Sequence, residues 1–254
     1  MYYVRYPLSF RQVEDILHER GIDICHETVR FWVDRFGSKF AKEIRKKRAD
    51  QHSNWQWHLD EVFVKINGER FYLWRAVDHE GEVLECYVTK RRNKAAAKKF
   101  LIKAMRKHGS PKIITTDKLP SYGAAFREIG VADKQLCGGR SNNRCENSHL
   151  PFRRRERAMQ LFKTSATLQR FVSYHSQIYN QYHHERHLQN RRTYKQKSIT
   201  VLIERFQICV VGLYDSFTLR RVKLSVITQL FFQTALLKDC QWYRISLFGI
   251  KDSL

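Results

Sequence analysis

Residues 55–78 read WQWHLDEVFVKINGERFYLWRAVD, and this stretch decides the fold class. Apolar residues alternate through WHLDEVFVKI, Asn67-Gly68 interrupts them, and RFYLWRAVD resumes with aromatic and branched residues. Asn-Gly is the dipeptide that suits a two-residue hairpin turn, because both central residues must take positive φ. Two alternating runs flanking it predict a β-hairpin. Trp55, Trp57 and Trp74 read as core. Gly81 marks a second turn, with Asp78 beside it as a turn residue, and EVLECYVTK predicts a third strand.

Downstream the pattern changes. NKAAAKKFLIKAMRKH (93–108) is Ala- and Lys-rich and predicts a helix. KIITT (112–116) is a short buried strand, residues 121–129 a short helix, and Gly138-Gly139 a loop. A further helix begins near Asn143, and residues 166–186 carry another long helical pattern. Three antiparallel strands, a helix, a parallel-type strand and more helices form the order that an RNase H-like α/β core requires.

Upstream, residues 1–38 predict a helix-turn-helix. Ser9 is placed to cap a first helix in which Val13, Ile16 and Leu17 share a face, and Gly21 stops it. A second helix opens near His26 and runs HETVRFWVDRF. Val29, Trp32, Val33 and Phe36 face a core there, while Glu27, Thr28, Arg30 and Arg35 face outward. Two short helices of which the second is Arg-rich match a DNA-recognition unit, and an ordinary helical hairpin has the same pattern. Residues 39–54 (KFAKEIRKKRADQHSN) read as a basic linker.

Charge narrows the partner. The chain has 254 residues, with 47 Lys and Arg against 25 Asp and Glu, a net charge of +22. A compact body so charged repels itself unless it meets a polyanion, which points to nucleic acid. Six scattered cysteines with no C-x-x-C pair argue against a zinc ribbon or a disulfide framework and fit reduced thiols in the cytoplasm. The first residues lack the apolar run of a signal peptide, and the longest uncharged apolar run, 224–237, is short for a bilayer span. No membrane partner is expected.

Three acids form the candidate centre. Asp60 sits mid-strand between Leu59 and Val62, where a carboxylate is costly unless paired or bound to a cation. Asp117 follows KIITT, at a strand end that opens on a crevice. Glu146 lies in the first turn of the helix at NNRCENSH. Phosphodiester transfer by two metal ions needs carboxylates converging from different elements, and this set supplies them. Each acid also has an ordinary reading. Asp60 could pair with a Lys or Arg, Asp117 could cap a turn, and Glu146 could form a capping box with Asn143. His183 and His187, four residues apart, read as an exposed helix face rather than a metal site.

Residues 8–192 resemble the insertion-sequence transposases of family six, which have a retroviral-integrase-like catalytic core. The resemblance is carried by LSFRQVEDILHERGI, ETVRFWV, WHLDEVFVKINGERFYLWRAVDHEG, ITTDKLPSYGAA, NNRCENSHLPFRRRERAMQLFK and HERHL. It implies that Asp60, Asp117 and Glu146 are the metal-binding triad, holding two Mg²⁺ or Mn²⁺ ions. It also implies a basic residue seven positions after the Glu, here Arg153. Two helical turns separate Glu146 from Arg153 by ~10 Å, so Arg153 is assigned to a DNA phosphate, with Arg154 beside it. A solvated arginine is the plain alternative.

The resemblance implies a transposase that binds the terminal inverted repeats of its element, cleaves the ends and joins them to target DNA. Replicative movement through a cointegrate and a dimer or larger assembly on DNA are implied with it. Residues 55–204 would form the catalytic domain. Family members carry a further helical segment before the point where this chain starts, so the helix-turn-helix is expected to be shortened. Residues 205–254 depart from the family and read as a frameshifted tail or as an added helical piece. Rival readings are a structure-specific nuclease of the same fold, and a non-catalytic DNA-binding remnant that represses its own element.

Overall fold

The computed structural model describes residues 2–48, 55–117, 119–138, 142–159, 162–182 and 190–214. The hairpin read from Asn67-Gly68 forms as expected. β1 (Gln56–Ile66) and β2 (Glu69–Asp78) pair antiparallel, with Ile66 opposite Glu69. Asn67 at φ 50° and Gly68 at φ 83° supply the two positive angles of the turn. β3 (Val83–Thr89) pairs antiparallel with β2, after a turn in which Asp78 Oδ1 accepts the N–H groups of Glu80 and Glu82.

β4 (Ile113–Thr116) then joins β1 in parallel, and β5 (Gln135–Cys137) joins β4 in parallel. The order β3-β2-β1-β4-β5 is the mixed sheet of an RNase H-like core. A three-residue β5 is too short to leave a period in the sequence, which is why the pattern did not reveal it.

Alternation along β1 feeds two cores. Trp57 and Leu59 point to one side, with Trp74, Ala76 and Leu84, beneath α4 (Lys94–His108) and α5 (Pro120–Ile129). Val64 and Ile66 point to the other, with Leu73 and Val77, beneath α6 (Asn143–Ala158) and α7 (Ser165–Tyr182). Asn93 caps α4, its side chain accepting the Ala96 N–H at 3.0 Å.

The N-terminal helices share this second core. α1 is Tyr2–Arg5, α2 is Phe10–His18 and α3 is His26–Arg48. Ser9 caps α2 in a capping box with Gln12, and Gly21 takes φ 71° in the following turn. The expected linker differs from what forms. Residues 39–48 continue α3, because Ala41 and Ile44 extend its apolar stripe into the core and the intervening Lys, Glu and Arg favour helix. Gly37 sits inside α3 where a Cβ would lie 3.3 Å from the Tyr174 ring, so the close helix approach uses its missing side chain.

The boundary drawn at Glu204 also falls within a helix. α8 (Arg191–Tyr214) runs through it, with Val201 buried and contacts to α3 and α7. Residues 49–54, Gly139, His183, His187 and the tail from 215 onward lie outside the described residues. Among the described residues no helix is long and apolar enough to cross a membrane.

Candidate active site

The parallel ladder between β1 and β4 ends at the pair Leu59–Thr116. One step further along each strand stand Asp60 and Asp117, side by side where β4 leaves the sheet. β4 stops there because Asp117 Oδ1 accepts the Leu119 N–H at 3.2 Å and turns the chain toward Pro120 at the start of α5. The turn-cap reading of Asp117 is therefore met by one oxygen of its carboxylate.

Glu61 completes a compact group. One carboxylate oxygen each from Asp60, Glu61 and Asp117 lies within 4.8 Å of the others. Glu61 shares the strand parity of Trp57 and Leu59, and its side chain is 4% exposed. The Arg92 guanidinium, in the loop between β3 and α4, contacts Glu61 Oε1 and lies 3.8 Å from Asp117 Oδ2.

Burial raises the Asp60 carboxyl from its ordinary 3.8 to about 6. The Glu61 N–H, donating to Oδ1 at 2.9 Å, opposes the rise, and the charges of Asp117 and Glu146 add to it. Burial also raises Glu61, to about 7, against the pull of Arg92. Buried carboxylates crowded in this way favour a hard divalent cation, whose charge offsets both the desolvation and the repulsion. The donor set fits such an ion. Glu61 Oε2, buried and without a hydrogen-bond partner among the described residues, points to the same unmet demand.

Glu146 stands outside the compact group. It is exposed in the first turn of α6, near enough for its charge to act on Asp60. The capping box with Asn143 does not form; Asn142 is the N-cap and makes no side-chain cap bond. Instead the buried Asn142 amide donates to the Leu59 carbonyl at 2.9 Å, fixing the start of α6 beside Asp60. One turn after Glu146, His149 Nδ1 lies 3.8 Å from Asp60 Oδ2. Burial, with the charges of Arg75 and Arg153, pushes this imidazole down to about 3, so it is neutral at pH 7.

The salt bridge considered for Asp60 is missing. Arg75 stands opposite it on β2, yet among the described residues Asp60 makes no ion pair with a Lys or Arg. Arg153, expected to reach a DNA phosphate, is 26% exposed and also makes contacts within the fold. Its Nη2 donates to the Phe63 carbonyl at 2.6 Å and its Nη1 pairs with Glu156 at 2.6 Å, clamping α6 onto β1. Arg154 is exposed. On α3, Thr28 is half-buried with its hydroxyl 3.3 Å from Cys25 Sγ. Arg30 is exposed and paired with Glu27 at 3.2 Å, and exposed Arg35 lies over the Phe31 ring at 6.0 Å.

Sequence reasoning passed over Glu61, Arg92 and Asn142. A second carboxylate at a core parity of β1 was the available signal for Glu61. Arg92 reaches the site only through the sheet order, and no local pattern marks it.

Comparison with known proteins adds an independent line. A family model described as a DDE domain, that of the IS240 transposase group, matches residues 54–185. The transposase for insertion sequence-like element IS431mec of Staphylococcus aureus is 31% identical over 169 residues, covering 65% of this chain and 75% of the relative. The transposase for insertion sequence element IS257 in transposon Tn4003, also of Staphylococcus aureus, matches with the same identity and coverage. Among solved structures, the simian T-cell lymphotropic virus intasome with a PP2A regulatory subunit aligns at TM-score 0.38 and 18% identity, over 49% of each chain. The BIV integrase catalytic core aligns at TM-score 0.36 and 17% identity, over 48% of this chain and 83% of that one.

Proposed function

The chain belongs to the insertion-sequence family six DDE transposases, and on that premise we propose that it binds the terminal inverted repeats of its element, cleaves each end and joins the freed 3′-OH to target DNA. The observation that carries this reading is the register-matched pair Asp60 and Asp117 at the point where β4 leaves β1. The assigned ligands are Asp60, Asp117 and Glu146. Two Mg²⁺ or Mn²⁺ ions bound there would activate the attacking oxygen and stabilise the leaving oxygen of an in-line displacement.

The chain's own residues set the stage for that displacement. Asp60 projects from β1 and Asp117 from the residue after β4, next to the last paired position Leu59–Thr116, so the sheet brings the two together before DNA arrives. Asn142 ties the first turn of α6 to β1 and so keeps Glu146 beside the pair. In each step a new bond forms from the attacking oxygen to phosphorus while the bond to the leaving oxygen breaks, first with water and then with the 3′-OH as nucleophile. No covalent enzyme–DNA intermediate is required. His149, neutral and largely buried, lies 3.8 Å from Asp60 on the α6 side.

Recognition of the repeats is assigned to α3, through Thr28, Arg30 and Arg35, with Arg154 on the DNA backbone. Arg153 is assigned to hold α6 in place. Two ends must be cut and joined together, so a dimer or larger assembly on DNA follows, with replicative movement through a cointegrate.

A strand-joining assay tests the proposal. A labelled pre-cut duplex ending in the terminal repeat is incubated with supercoiled plasmid, protein and Mg²⁺. Plasmid that acquires the label supports transposition. Hydrolysis without joining would replace the proposal with a nuclease of the same fold, and binding without either product with a repressor.

A further inference from the structure

The cation reading of Asp60 and Asp117 leaves Arg92 unexplained, because a fixed positive charge beside a cation site opposes the cation. Its two contacts are unequal. Glu61 is 4% exposed and meets the guanidinium at Oε1, while its Oε2 has no hydrogen-bond partner among the described residues. Asp117 is 38% exposed and lies 3.8 Å from the same Nη2. Arg92 is thus anchored from within by a carboxylate that cannot readily reach water, and meets Asp117 on the solvent side. The Arg92 side chain as a whole is 39% exposed, so its guanidinium is open to solvent while it contacts both acids.

We propose that Glu61 and Arg92 form a charge clamp at the cation site, a reading that rests on the assignment of Asp60 and Asp117 as cation ligands. With no cation bound, Arg92 neutralises Asp117 and holds the acid group together. When a cation binds, the guanidinium gives up Asp117, stays tethered to Glu61 and presents its outer N–H groups to a phosphate oxygen of the DNA end. A planar fork suits that task better than an ammonium, because it spans a carboxylate on one edge and a phosphate on another. Arg92 is therefore a DNA-positioning residue whose cost is a weaker cation site in the free protein, and Glu61 is the residue that orients it.

Full-length protein without DNA is titrated with Mn²⁺, and free Mn²⁺ is read by electron paramagnetic resonance. Arg92→Gln removes the competing charge and should bind Mn²⁺ about tenfold more tightly. Arg92→Lys should keep wild-type Mn²⁺ affinity, and so should Arg91→Gln, which changes the neighbouring exposed arginine. With Mn²⁺ saturating, Arg92→Gln should bind the terminal-repeat duplex about tenfold more weakly, and Arg92→Lys should recover only part of that loss. The double variant Arg92→Gln/Glu61→Gln removes the Glu61 carboxylate that losing Arg92 would strand and guards against misfolding; it should show the same weakened DNA binding. Unchanged or weaker Mn²⁺ binding by Arg92→Gln, or a Lys variant that behaves like Gln, overturns the clamp. Asp60→Asn in the same titration separates the two ideas. If it too binds Mn²⁺ like wild type, the cation site itself is misassigned; if it loses Mn²⁺ while Arg92→Gln binds no more tightly than wild type, the site stands and only the clamp fails.

Discussion

Asp60→Asn should make the protein more stable in the absence of divalent cations and unresponsive to them. At pH 7 the wild-type residue is held ionised in a place that disfavours the charge. A rise from 3.8 to about 6 corresponds to roughly 3 kcal/mol against the ionised form, at about 1.4 kcal/mol per pH unit. Water reaches part of the side chain, so about 1–3 kcal/mol is the expected gain. For a chain of this size that raises Tm by roughly 3–10 °C. Asparagine keeps the shape, and its Oδ1 still accepts the Glu61 N–H.

The pH dependence has a defined sign. The folded state holds the Asp60 proton more tightly than the unfolded state, so this contribution to stability is complete below about pH 4 and is lost as pH rises through about 6. The gap between variant and wild type should open over that window and stay constant above pH 7. Saturating Mg²⁺ should close it, since a ligand at a hundred times its Kd stabilises by about 2.7 kcal/mol. Urea unfolding at pH 5 and pH 7.5, with EDTA or with Mg²⁺, reads all four states. A variant less stable than wild type in EDTA, or one that still gains from Mg²⁺, would refute the reasoning.

Three further outcomes are expected. Asn142→Ala strands the Leu59 carbonyl and loosens the start of α6, costing about 1–3 kcal/mol in urea unfolding; an unchanged midpoint would remove Asn142 from the site's framework. Arg30→Ala should lose about 1–3 kcal/mol of preference for terminal repeats over random duplex in a competition gel-shift; equal loss on both DNAs would make Arg30 a backbone contact. Arg153→Ala should lower stability through the lost Phe63 and Glu156 bonds while changing the salt dependence of DNA binding little; a salt slope reduced by about one phosphate contact would return Arg153 to the DNA.

The hairpin was legible because Asn67-Gly68 allows few other structures, and Asp60 stood out because a carboxylate between Leu59 and Val62 contradicts its surroundings. The sheet order needed more than periodicity. Asp60 and Asp117 are 57 residues apart, and only the parallel pairing of Leu59 with Thr116 makes them neighbours. Glu61 was hidden by the same alternation that exposed Asp60, since consecutive residues of a strand face opposite sides. The continuation of α3 was masked by its composition. KFAKEIRKKR reads as solvated until the spacing of Phe40, Ala41 and Ile44 is matched to a helix that faces α7.

The most direct test of the account is strand joining by Asp117→Asn beside wild type, with repeat binding measured on the same samples. Asp117 is the choice because it follows Thr116, the β4 partner of Leu59, and its carboxylate lies within 4.8 Å of that of Asp60. Wild type should join labelled repeat ends to plasmid in Mg²⁺. The variant should bind the same duplex within about twofold and lose joining by about a thousandfold or more, as when one member of a unit acting together is removed. Joining by Asp117→Asn at the wild-type rate would contradict the assignment of the site.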